Sequence, residues 1–271
     1  MRKRSIRLWL LALGMVLAAA VYQRLSGPTY PIRGKVVAGE TEVRFRLIRT
    51  FDGAGDAEIR LPVENKSVAG QMTWRRTPSR DEWQSTPLER EGDTLVARIP
   101  HQPPAGKVMY RIFLDAGNGP IPLTADPVTI RFKGPVPLSV LIPHVVAMFL
   151  AMLFSTRAGL EALIRGLNTG RLALWTLILL IIGGLIMGPV VQKLAFGAFW
   201  TGWPFGTDLT DNKTLVAAVC WLAALWRLRR NPQSRGWPLA ASVVLMLVYL
   251  IPHSLLGSEL DYTQLEGGAE G

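Results

Sequence analysis

The chain is poor in cysteine, histidine and charge. Of its 271 residues one is cysteine, three are histidine and 18% are charged. The lone Cys220 excludes an intrachain disulfide and a thiolate metal cluster, and the lack of Cys-x-x-Cys-His excludes covalently attached haem. His-Glu-x-x-His and Gly-x-Ser-x-Gly are missing too, so neither a zinc-protease helix nor a nucleophile elbow organises the few polar residues. Little charge together with 49% hydrophobic residues is the composition of a membrane protein rather than an ordinary soluble domain.

The charge that is present has one dominant sign, a net +10. In a soluble protein that excess would point to nucleic acid. Here no groove-reading motif accompanies it, and the cations sit in short segments between apolar runs: Arg2, Lys3, Arg4 and Arg7, then Arg157, Arg165 and Arg171, then Arg227, Arg229, Arg230 and Arg235. The positive-inside rule assigns those segments to the cytoplasm, and nucleic acid is not an expected partner.

The apolar runs agree with that assignment. A basic start followed by uncharged Leu8 to Tyr22 has the layout of a signal anchor, with cleavage after Ala18, Ala19 and Ala20 as the alternative. Leu138 to Thr156 is about 28 Å long as a helix, a full span. Leu172 to Gln192, Leu215 to Trp226 and Leu239 to Leu256 complete the set, the third being short and dependent on Arg227 snorkelling. Alternating these spans from a cytoplasmic start puts every basic cluster inside and the C-terminus outside. The expected domains are a signal anchor over 1–26, a periplasmic β-sandwich over 27–134, a four-span helical bundle over 135–258 and an acidic external tail over 259–271, in the bacterial inner membrane.

Between the first two spans the pattern changes to short alternating segments separated by turn residues. Val43 to Ile48, Ala57 to Leu61, Gln71 to Arg75, Thr94 to Ile99, Lys107 to Leu114 and Val128 to Phe132 are expected strands. Asp-Gly-Ala-Gly, Pro-Pro-Ala-Gly and Gly-Asn-Gly-Pro supply the turns between them. This spacing resembles an immunoglobulin or fibronectin type III sandwich, without the paired cysteines of antibody domains and with Trp74 and Tyr110 as core candidates. The resemblance is one of architecture and implies no function.

Leu-Ile-Pro-His occurs twice, ending at His144 and at His253, each time in an apolar run. The topology places both imidazoles in the outer half of the bundle, and an ionisable group inside a membrane needs a partner or a cavity. His144 and His253, with Met148 four residues after His144 and Met152 eight after, are therefore candidate cofactor ligands, for haem b above all. Asp208 and Asp211, in an outer loop dense in Phe and Trp, join the two histidines as candidate metal-site residues. Thr210 or Asp211 acting as a simple helix cap is the plainer alternative. His101 is expected in a solvated turn, and the Gly-x-x-x-Gly pair Gly184 and Gly188 packs helices within the chain or between copies.

The sequence thus predicts a redox or ligand-binding module of a larger membrane assembly, binding haem b or a divalent metal. An accessory subunit that docks a periplasmic protein is the main alternative, and an intramembrane zinc hydrolase the second. The bilayer is a partner in each case.

Overall fold

The computed structural model describes residues 2–252, 257 and 259–267. They form two units, one built from the N-terminal helix and the helices after Val136, the other from Thr29–Pro135 together with tail residues 259–267.

The chain opens with α1 (Arg2–Ser26), which is long and apolar enough from Lys3 onward to cross a membrane. Eleven strands follow: β1 (Ile32–Ala38), β2 (Thr41–Leu47), β3 (Thr50–Phe51), β4 (Ala57–Pro62), β5 (Ala69–Arg76), β6 (Gln84–Pro87), β7 (Glu89–Glu91), β8 (Thr94–Ile99), β9 (Lys107–Asp115), β10 (Ile121–Pro122) and β11 (Val128–Phe132). All six strands expected from alternation are present. The other five are short or broken in pattern.

Three sheets result, with β1 paired to β2, the order β3-β11-β9-β5-β6 with β10 also on β9, and the order β4-β8-β7. Strict alternation along β9 sends Val108, Tyr110, Ile112 and Leu114 inward. There they meet Leu47, Ile59, Leu61, Met72 and Phe132 from the other strands in one shared core. Tyr110 is fully buried, and its hydroxyl donates to the Ile48 carbonyl at 2.8 Å, so the polar end of a core residue is satisfied. Trp74, opposite Tyr110 in the β5–β9 register, lies half-buried at the core margin.

The expected acidic tail is part of this unit. Helix α7 (Tyr262–Gly267) follows β11 only after the helices of the other unit, yet Tyr262 donates its backbone N–H to Pro78 O and its hydroxyl to Gln102 Oε1 at 2.8 Å. Arg76 stacks on the Tyr262 ring at 4.7 Å and pairs with both Asp81 oxygens, at 2.6 and 2.8 Å.

In the helical unit, α2 (Leu138–Leu163) runs past the expected end at Thr156. The extension holds because Arg157 is not a free interfacial cation: buried, it pairs with the buried Glu161 one turn on, at 2.6 Å, and its guanidinium lies over the Trp9 ring. Ala147, Ala151, Ala158 and Ala162 give α2 a stripe of small buried residues, which permits close helix packing. Next come α3 (Thr169–Leu180), a wide π-helical stretch over Ile181–Met187 and α4 (Gly188–Phe196). Thr169–Phe196 is continuous and long enough to span, as is α2. Helices α5 (Leu209–Arg230) and α6 (Gly236–Leu250) finish the unit.

Helix α6 is shorter than the expected span to Leu256. It stops at Leu250 because Pro252 biases the residue before it away from helical geometry, and Ile251 is extended at φ −71°, ψ 117°. The two Leu-Ile-Pro-His strings therefore differ in structure: Pro143 sits inside α2, whereas Pro252 lies beyond the end of α6.

Candidate functional site

The wide turn before α4 has a sequence cause. Pro189 brings no N–H, so the helix ahead of it cannot keep its ordinary ladder. Over Ile181–Met187 the hydrogen bonds widen by one residue, and Gly188 N–H donates to Gly183 O. That carbonyl has a second partner: His144 Nδ1 lies 2.9 Å from it. A carbonyl only accepts, so Nδ1 carries the proton, and in the neutral form of the ring the lone pair is on Nε2. His144 is half-buried on α2.

Met148 lies one turn further along α2, against the same notch. A Cβ on Gly183 would come within 2.9 Å of Ala147 Cβ and 3.1 Å of Met148 Sδ, and one on Gly184 within 2.7 Å of Thr214 Cγ2. These glycines thus pack α2 and α5 against the wide turn within the chain. Met152 is buried deeper in the helical core. His253 lies outside the described residues.

Asp208 and Asp211 do come together, around Thr201. Asp208 is the cap of α5, accepting at Oδ1 from Thr210 N (2.7 Å) and Asp211 N (3.4 Å), and at Oδ2 from the Thr201 hydroxyl (3.2 Å). The cap is therefore neither Thr210 nor Asp211, because Asp208 is the residue with the non-helical ψ of 119° just before Leu209. Asp211 Oδ2 accepts from Thr201 N (2.7 Å), Gly202 N (3.0 Å), Gln192 Nε2 (3.1 Å) and the Thr201 hydroxyl (3.4 Å). It binds the loop between α4 and α5 to both helices. Both carboxylates are buried and engaged by donors of the chain. Phe199, Trp203 and Phe205 project from the same loop into the surroundings, as aromatic residues at a membrane interface do.

Lys213 was not anticipated as a site residue. It is 6% exposed, donates to the Ile251 carbonyl at 2.8 Å and feels the Asp208 charge. The signal was its position two residues after Asp211, on the helix turn that a buried carboxylate already marks. The Arg157–Glu161 pair was likewise legible only as an (i, i+4) spacing. Among the described residues no three of His, Cys, Asp and Glu gather into a metal-binding group. His101 sits in an exposed turn, with its backbone N–H on Asp56 and Nδ1 2.9 Å from Gly55 O.

The arrangement can hold a helix notch and a loop in fixed positions and offers one imidazole nitrogen, His144 Nε2, to a ligand. Comparison with known proteins adds no relative: no family model, no curated protein sequence and no solved structure matches this chain.

Proposed function

We propose that this chain is a multi-pass protein of the bacterial inner membrane and a non-catalytic accessory subunit that docks an acidic partner protein. In this reading five helices cross the bilayer, and the sheet-rich unit, an immunoglobulin-like sandwich, lies with the C-terminus on the periplasmic side. The basic clusters and the apolar helices, independent features of the sequence, support that orientation. A reporter fused after Gly271 is expected to be active outside and one at Gln233 inside; reversed activities overturn it.

The observation that carries the docking role is the β1–β2 hairpin. Its register sets Arg33 opposite Arg46 and Lys35 opposite Arg44, all exposed. Like charges directly across a strand pair destabilise it. Glu42 relieves Lys35 (2.9 Å) and Arg44 (3.4 Å), which leaves the face with a net excess of three positive charges by residue count. On the sheet of β4, β8 and β7, by contrast, Glu58, Glu89 and Glu91 surround Arg60 and Arg98. Carboxylates of a partner would neutralise the hairpin and set the register of docking.

Extraction in mild detergent followed by size separation tests this role. The native protein is expected in an assembly larger than the chain alone, and replacing Arg33, Lys35 and Arg46 with Glu should release it without lowering its melting temperature. A native chain that migrates alone at low ionic strength removes the docking role.

His144 favours a second reading, the redox or ligand-binding module with haem b or a divalent metal. Donation of Nδ1–H to a backbone carbonyl is the arrangement that orients ligating imidazoles, and π-helical turns recur at functional sites. A Soret band or a stoichiometric metal, lost in both His144→Ala and His253→Ala, would establish it.

A further inference from the structure

At the opposite, arginine-rich end of the helical unit, α1, α2 and α6 leave a groove open to the outside. Its cavity is about 170 Å³ and its wall is apolar, formed by Met15, Gly159, Leu163, Leu239, Val243 and Leu247 among others. The floor exists because α2 and α6 approach closely: a Cβ on Gly159 would stand 2.5 Å from Ser242 Oγ and 2.7 Å from its Cβ. Leu163, Val243 and Leu247 are all more than half exposed on its rim.

Leu163 and Leu239 also line a second cavity of about 610 Å³, whose remaining wall includes Arg165, Gln233 and Arg235. An apolar groove thus adjoins a basic cavity. Among the described residues no carboxylate contributes to that wall. Arg235 Nη1 is buried and, among the described residues, has no hydrogen-bond acceptor, so the chain itself leaves that nitrogen unsatisfied. Arg165 reaches the chamber from a left-handed backbone at φ 56° just past the end of α2. A neighbouring cation cannot satisfy Arg235, and Glu161 of α2 is paired with Arg157.

We infer that this double cavity binds one anionic glycerophospholipid of the cytoplasmic leaflet, with its phosphodiester between Arg165 and Arg235 and one acyl chain in the groove. The phosphate supplies acceptors to the two guanidinium groups of the wall, the Gln233 amide gives a further donor, and the hydrocarbon covers the apolar wall. A zwitterionic lipid fits the groove equally well but brings an ammonium group into a chamber of arginines. The inference rests on the membrane placement proposed above.

The full chain in nanodiscs of phosphatidylcholine, with and without phosphatidylglycerol of the same acyl chains, tests it. Phosphatidylglycerol should raise the melting temperature in a saturable way. Arg235→Gln, and Arg165→Gln on an exposed side chain, should each weaken the apparent affinity about fivefold, the worth of one cation at an anionic headgroup. Val243→Phe, which fills the groove from its exposed rim, should weaken it with both arginines intact. Arg230→Gln, outside the chamber, should not. Equal losses in Arg230→Gln and Arg235→Gln would mean diffuse surface attraction and overturn the site. A shift reproduced by soluble glycerol phosphate would mean a phosphate site without a lipid and overturn it as well. An embedded chain with no lipid preference defeats this inference alone, whereas release of the chain by alkaline carbonate defeats the membrane placement with it.

Discussion

Replacing Asp211 with Ala removes the one acceptor shared by two backbone N–H groups, those of Thr201 at 2.7 Å and Gly202 at 3.0 Å. Neither donor gains another acceptor when the side chain is cut back, because Asp211 is 6% exposed and the loop is closed around it. Stranding a buried donor costs about 1–3 kcal/mol, so the two together cost about 2–6 kcal/mol. Gln192 Nε2 keeps the Thr201 hydroxyl as its partner, at 2.7 Å, and adds little to the loss.

Asp211→Asn separates a structural latch from a ligand. All four donors converge on the single oxygen Oδ2, and an amide oxygen placed there still accepts from them. A latch therefore loses only the charge-assisted part, about 1 kcal/mol. A metal ligand or its partner would instead lose binding in Asn nearly as fully as in Ala. Thermal unfolding in detergent and protease cleavage within residues 197–208 are the two readouts. Asp211→Ala is expected to melt lower and be cut sooner, with Asp211→Asn close to the native protein. An Ala variant that melts and resists protease like the native chain would refute the latch.

Glu161→Ala leaves the buried Arg157 guanidinium without its carboxylate and should cost about 3–5 kcal/mol in detergent unfolding, while replacing both residues with Leu should cost far less. Tyr262→Ala should destabilise the sheet-rich unit by about 3–5 kcal/mol, as for other buried aromatic residues; a melting curve unchanged by the substitution would mean that the tail contributes nothing to the fold. The paired Arg76 guanidinium holds the Asp81 carboxyl below its ordinary range. A lowered folded value means stability that is present above the unfolded carboxylate pKa of about 4 and lost as pH falls through the folded value. Asp81→Asn should therefore flatten the acid limb of a melting-against-pH profile below pH about 4, and an unaltered limb would show that the pair contributes nothing.

The strands were legible where burial is written in alternate residues, as it is along β2, β4 and β9. Strands β3 and β10, two residues each, carry no period to read. Their existence depends on β11 and β9 being already in place to pair with them. The packing of the tail was not legible for a related reason. Its Glu and Asp residues give no sign of it, and the residue that matters is Tyr262, whose partners Gln102 and Pro78 stand far away in sequence.

The candidate site shows the same division more sharply, because the Leu-Ile-Pro-His repeat is a case of identical local sequence with different outcomes. At Pro143 the helix has five residues before it and twenty after it, all within α2, so propagation on the far side outweighs one missing donor. At Pro252 the chain has already left α6, and the freed Ile251 carbonyl is taken by Lys213 from another helix. His144 likewise owes its orientation to Gly183, whose carbonyl accepts both the Gly188 N–H of the wide turn and the imidazole N–H. What a histidine does in this bundle is decided by a carbonyl on a neighbouring helix, and no spacing within its own segment encodes that.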